Sequence, residues 1–167
     1  MDSSYITPFI SSVTNVFETM LQLPVEVLEP ALKTPGAEGH DVSGIIGMSG
    51  DVEGTINLCF PTAVAERTVA LFTGMEMTAD HEDFADAIGE LVNMISGGAK
   101  AQFKGKHVSI TTPSVVIGSD HSVFGRKDTV CVCIPCVCDL GEFAIEVSIK
   151  QSDLATEAPA ESAGAAA

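Results

Sequence analysis

The residues best placed to do chemistry are Asp86, Glu90, Asn93 and Gly97, which follow one another at steps of four, three and four. On a helix, side chains three or four apart stand about 5–6 Å from each other, so Glu90 and Asn93 point the same way, side by side. Gly97 comes one turn later, and Gly98 after it adds no bulk. Glycine inside a helix costs up to about 1 kcal/mol relative to alanine, so a Gly-Gly pair needs a reason. Close approach of a second surface is one. A carboxylate and a carboxamide beside a shaved patch suit docking onto a convex partner. The same residue types also make an ordinary solvated stripe, which surface helices commonly show.

The helix that must carry them is visible on the opposite side. Phe84, Ile88, Leu91, Val92, Ile95, Ala99 and Phe103 recur at three- and four-residue steps, which predicts a helix from Phe84 to Phe103 with one buried face. Asp83 or a neighbour fits its cap. Upstream, Phe9, Ile10, Val13, Val16, Phe17, Met20 and Leu21 share one face of a first helix, opened by Thr7-Pro8 and ended by Pro24. Val25, Val27 and Leu28 suggest a short strand, and residues 35–39 a loop. Val42–Met48 and Thr55–Phe60 flank a Gly50–Gly54 turn and read as an antiparallel hairpin. Pro61-Thr62 opens a further helix, with Ala63, Val64, Thr68, Leu71 and Phe72 as its packing side and Thr73-Gly74 at its end.

After Gly105, Val108–Ile110 fits a short strand, and Val115–Ile117 a strand or an extended connection; Ser119–Lys127 reads as a loop. Thr129–Cys138 and Phe143–Lys150 form the last two strands around a turn at Asp139–Glu142. Pro135 cannot donate a ladder hydrogen bond, which places it at a bulge or a sheet edge. From Gln151 onward the chain turns to Ala, Glu, Ser, Pro and Gly, with almost nothing to bury. The expected organisation is a single domain, 1–150, followed by a disordered tail, 151–167. Its class is α+β: a mostly antiparallel sheet packed against long helices.

Glu90-Leu91-Val92-Asn93-Met94-Ile95-Ser96-Gly97-Gly98-Ala99 resembles the E-x-x-N helix of the CheC/CheX/FliY family, phosphatases of the phosphorylated chemotaxis regulator CheY. Small residues one turn after the Asn, the apolar face around them and a Phe at the helix end make the match specific. Ser49–Gly54 resembles the family's hairpin turn, and Phe17-Glu18-Thr19-Met20-Leu21 resembles CheX-type members in particular. The resemblance runs from about Ile6 to Lys150. CheC-like members carry two such helices; here Glu18 is followed three residues later by Leu21 and Glu66 by Val69, so only one is present.

The resemblance implies a phosphatase of an aspartyl phosphate on a CheY-like response regulator. By carry-over, Asn93 positions the attacking water, Glu90 bonds the regulator's lysine, and Asp86, Gly97 and Gly98 form the partner surface. It implies no cofactor bound by this chain, since Mg²⁺ belongs to the partner, and it implies a homodimer. The long apolar terminal strands point to a dimer as well, because an uncovered edge tends to pair with another chain. A non-catalytic binding module or scaffold for a regulator, in chemotaxis or the flagellar switch, is the alternative.

Composition narrows the rest. Lys+Arg 8 against Asp+Glu 23 gives a net charge of −15, which disfavours a nucleic-acid partner. No apolar run reaches the roughly 18 residues of a membrane span. Five cysteines, an odd number set in apolar runs, suit a reducing cytoplasm. Cys131, Cys133, Cys136 and Cys138 are dense, but strand alternation puts the first two on the face opposite the last two unless Pro135 bulges, and no zinc-type pair-plus-pair spacing is present. No metal site is expected. His40, His81, His107 and His121 are scattered, and there is no P-loop, G-x-G-x-x-G or G-x-S-x-G.

Overall fold

The computed structural model describes residues 3–34, 36–151 and 153. A 3-10 turn, Ser3–Tyr5, leads into α1 (Thr7–Leu21), followed by the two-residue strands β1 (Glu26–Val27) and β2 (Ala31–Leu32). The long hairpin β3 (His40–Gly50) and β4 (Gly54–Phe60) precedes the helices α2 (Thr62–Thr73) and α3 (Phe84–Lys100). Then come β5 (Val108–Ile110), β6 (Ser114–His121), β7 (Thr129–Cys138) and β8 (Gly141–Lys150). All strand pairings are antiparallel, in the order β1-β7-β8-β4-β3-β5, with β2 beside β1 on the outer side of β7 and β6 beside β5 on the outer side of β3. This is the expected α+β class, in one domain.

Alternation decides what each sheet face does. Ile56, Leu58 and Phe60 of β4, Phe143, Ile145, Val147 and Ile149 of β8, and Val132, Ile134 and Cys136 of β7 share the helix-covered face and are buried. Phe143 stacks on Phe17 of α1 at 4.7 Å between ring centres and on Phe60 at 5.4 Å, tying the first helix to the sheet centre. Burial pushes the Cys136 thiol up to about 12, which keeps it a neutral core residue. The opposite face carries Ser43, Asn57, Cys59, Cys131, Cys133, Glu146 and Ser148. The four clustered cysteines therefore stand on two sides of the sheet.

The terminal strands differ from expectation. β8 lies inside the sheet, and β7 is lined by β1 and β2, so neither presents an open edge. Pro135 sits in an unbroken ladder opposite Ala144, without a bulge. Its carbonyl accepts from Leu28 N on the outer side at 2.9 Å. A residue in an antiparallel strand turns N–H and C=O the same way. The missing proline donor thus faces the connection between β1 and β2 and costs no β7–β8 bond.

Helix boundaries and faces shift in smaller ways. Thr7 is already helical, with Ile6 at the N-cap and Thr7 Oγ1 bonded back to Ser3 O. The stop is set by Gln22 in left-handed conformation, two residues before Pro24. Met20 and Leu71, expected on packing faces, are each 46 % exposed, and Ala63 is also exposed; Ala65 and Val69 are buried in α2 instead. Phe103 is buried but lies in the turn after α3. Beyond β8, Gln151 N donates to Asp128 O, Tyr5 Oη donates to Asp153 O, and Asp153 Oδ2 accepts from Glu53 N. The rest of the expected tail lies outside the described residues.

Candidate functional site

α3 packs against α1, α2 and the strands β3, β5 and β6, burying Phe84, Ala87, Ile88, Leu91, Val92, Ile95, Ser96 and Ala99. Glycines set two of these contacts. A Cβ on Gly44 of β3 would stand 3.0 Å from Val92 Cγ1, and one on Gly89 3.2 Å from Pro113 Cγ. The small residues let the helix sit close to the sheet. Asp83 occupies the N-cap position, although its side chain makes no capping bond. Asp86 in the first turn and Lys100 in the last complement the helix dipole.

The outward face holds the residues singled out by spacing. Asp86 and Glu90 are exposed and Asn93 is partly buried. Among the described residues, neither Glu90 nor Asn93 is committed to a hydrogen bond or ion pair. A Cβ at Gly97 would meet nothing within 4 Å. Gly97 also borders a shallow groove lined by Lys100, Lys106, His107 and Ile110, a basic strip on an acidic chain.

Gly98 points the other way. A Cβ there would overlap the Ser12 hydroxyl of α1, which donates to Ile95 O at 2.6 Å. The lack of a side chain at Gly98 is thus explained by the α1–α3 contact. Only Gly97 of the pair opens the outer face. Adjacency in sequence joined the two, but a helix turns by 100° per residue, enough to send neighbours to different surfaces.

The back face of the sheet holds a cluster that spacing did not reveal. Glu146 of β8 is 4 % exposed, and its carboxylate meets Lys33 Nζ at 2.9 Å, His40 Nε2 at 2.9 Å and Asn57 Nδ2 at 3.4 Å. Burial alone would raise its pKa; hydrogen bonds from His40 and Lys33 and their charge outweigh that and hold it below the usual carboxylate value. The Cys59 thiol lies alongside, pushed well up by burial. One signal was present: Ala144, Glu146 and Ser148 alternate with the core residues of β8, marking a polar face. That loops would cover it was not legible.

A family model described as chemotaxis phosphatase CheX matches residues 42–137, more than half of the chain, from the start of the long hairpin through α3 into β7. The chain belongs to the chemotaxis phosphatase CheX family. It is 33 % identical over 123 residues to the CheY-P phosphatase CheX of Thermotoga maritima, covering 72 % of this chain and 79 % of that protein. A CheC-like superfamily protein from a Shewanella species superposes with a TM-score of 0.82 at 31 % identity, over 90 % of this chain and 99 % of the other. The CheX of a CheX–CheY–BeF₃–Mg²⁺ complex from Borrelia burgdorferi superposes with a TM-score of 0.74 over 87 % of this chain and 97 % of the other; at 24 % identity this likeness speaks for the fold alone. None of the helices among the described residues is long and apolar enough to cross a membrane.

Proposed function

We propose that this CheX-family chain stimulates hydrolysis of the aspartyl phosphate on a phosphorylated CheY-like response regulator, with Asn93 and Glu90 as the working residues. The observation that carries the proposal is the outer face of α3, where an uncommitted carboxylate and carboxamide stand beside the open Gly97. The activity named for the Thermotoga relative supports the same partner.

Phosphoryl transfer asks little covalent chemistry of a helper; placing water in line with phosphorus and compensating charge are most of the task. The Asn93 carboxamide suits it. Its oxygen accepts from the water, its NH₂ donates nearby, and it brings no negative charge to the phosphoryl group. Water adds to phosphorus, the bond to the regulator's carboxylate breaks, and inorganic phosphate leaves. Glu90 makes a charge-assisted bond to the regulator's lysine and fixes the docked orientation. Gly97 lets the partner's surface reach the helix, and Asp86 extends the contact by one turn. Mg²⁺ belongs to the regulator in this scheme, so the chain brings no cofactor of its own to the reaction.

The test is phosphate release from an acetyl-phosphate-charged regulator, with binding followed separately by titration. Asn93→Ala should abolish the stimulated release and leave folding and binding intact, since positioning is worth several kcal/mol in the transition state alone. Glu90→Ala should weaken binding as well. Full activity of Asn93→Ala would refute the water-positioning role. Binding without accelerated release in the wild type would make the chain a non-catalytic module of the same partner.

The proposal includes a homodimer, with a different seat from the terminal strands. β6 is an outer strand on which Val116 and Ile117 are 39 % and 44 % exposed, an apolar edge of the kind that pairs with a second copy. Light scattering should give twice the chain mass at micromolar concentration, and Ile117→Lys should shift it toward the monomer. A wild type of single-chain mass would end this part of the proposal.

A further inference from the structure

The three central strands β3, β4 and β8 each send one metal-binding donor to the same spot on the back face. His40 nitrogen, Cys59 Sγ and a Glu146 carboxylate oxygen all lie within 4.8 Å of one another. Among the described residues this is the one group of three or more such donors drawn so close. Cys59 is fully buried, Glu146 nearly so, and the His40 side chain is 17 % exposed, the most open of the three. The β3–β6 register breaks between His40 and Val42, and beyond that break the His40 ring lies against Glu146.

A second observation lies beside the first. Asn57 is 3 % exposed, stands in register with Glu146 on the same face and gives its Nδ2 to that carboxylate. Among the described residues its Oδ1 has no hydrogen-bond partner. A buried amide oxygen left unpaired costs about 1–3 kcal/mol. Such an atom, on a residue whose Nδ2 already bonds one of the three donors, asks for a ligand that brings a proton, such as water.

We propose that His40, Cys59 and Glu146 form a binding site for a borderline-soft divalent cation of the zinc class, with a water as fourth ligand accepted by Asn57 Oδ1. One nitrogen, one thiolate and one carboxylate with an open fourth position is a donor set that Zn²⁺ takes in tetrahedral geometry, at about 2.0–2.3 Å from each donor. Donor atoms around a tetrahedral ion stand roughly 3.3–3.6 Å apart, so on binding the His40–Glu146 pair opens from 2.9 Å and the wider separations, up to 4.8 Å, close. Cys59 binds as thiolate and releases one proton to solvent. The ion's two charges are then balanced by Cys59 and Glu146. Lys33, which now neutralises Glu146, turns to its second acceptor, Val123 O at 3.3 Å, and to solvent. The bound ion pins the strand centre and the segment carrying His40 to each other, on the side of the sheet opposite α3.

The test uses the full chain, freed of metal by dialysis against chelator, titrated with Co²⁺ as spectroscopic probe and with Zn²⁺ in competition. The wild type should take up one equivalent, develop a thiolate-to-cobalt charge-transfer band, lose it to added Zn²⁺, release a proton and melt at higher temperature with metal than without. Cys59→Ser should lose the band, Glu146→Gln and His40→Gln should bind at least tenfold more weakly, and Cys131→Ser should behave as wild type. Melting curves without metal identify any variant that fails to fold, and His40→Gln, partly exposed, keeps the test decisive in that event. Absence of Co²⁺ uptake by the wild type, or unchanged uptake in folded Cys59→Ser and His40→Gln, overturns the proposal.

Discussion

Gly97 and Gly98 are adjacent, identical and helical, yet the same substitution should move them in opposite directions. At Gly97 a methyl group enters open space, so Gly97→Ala gains helix propensity alone, about 0.8–1.0 kcal/mol. For a domain of this size that is a rise of about 2–4 °C in melting temperature. At Gly98 the methyl displaces the Ser12 hydroxyl from Ile95 O. The lost bond is worth about 0.5–1.5 kcal/mol and the overpacking about 1–3 kcal/mol, which exceeds the propensity gain. Gly98→Ala should therefore melt lower than wild type. Function should divide the other way. A bulky Gly97→Leu should keep the fold but intrude on the face proposed for the regulator, and a strain of about 1–3 kcal/mol there would weaken binding roughly 5- to 150-fold. Thermal melts, titration with the phosphorylated regulator and phosphate release read all three effects. Undiminished affinity and release in Gly97→Leu would show that the partner does not touch this face, and equal melting shifts for the two alanine variants would refute the α1–α3 contact.

Two further outcomes follow from the back face and the chain end. Glu146 has a folded pKa below its ordinary value of 4.5, so its ion pairing stabilises the protein above that value and the contribution is lost as pH falls through the lower folded value. Lys33→Ala leaves a buried carboxylate held by His40 and Asn57 alone; it should cost up to about 3–5 kcal/mol in urea unfolding at pH 7 and progressively less as the pH falls through the lowered folded value, and a pH-independent penalty would contradict the pairing. Truncation after Asp153 should leave the melting temperature unchanged, whereas truncation after Lys150 should lower it by removing the Asp153 bonds to Tyr5 and Glu53; equal melting of the two would show those bonds to be immaterial.

The sequence revealed most where a period was long. Seven apolar residues across Phe84–Phe103 located α3 to within three residues of its end, and the uncommitted face carrying Glu90 and Asn93 followed from the same count. Short elements left no such trace: β2 is two residues, Ala31–Leu32, and exists because β7 offers it a ladder. Spacing also could not say which of two adjacent glycines opens outward, since that depends on Ser12, more than eighty residues away. Glu146 is the sharpest miss. A charged residue on the outer face of a strand reads as solvent-exposed, and only the arrival of Lys33, His40 and the chain near Val123 makes it a buried ion-pair centre.

The Ser12–Ile95 bond bears on kinetics as well as packing. It grips α3 through its backbone on the side away from Asn93, while β3 and β6 brace the helix from below. A helix held in this way is already in place for a partner. Docking on it is then a rigid-body event, with little rearrangement of this chain. The association rate should be governed by diffusion, orientation and charge rather than by a slow isomerisation, and should vary with salt, which screens the field of a chain carrying fifteen excess negative charges.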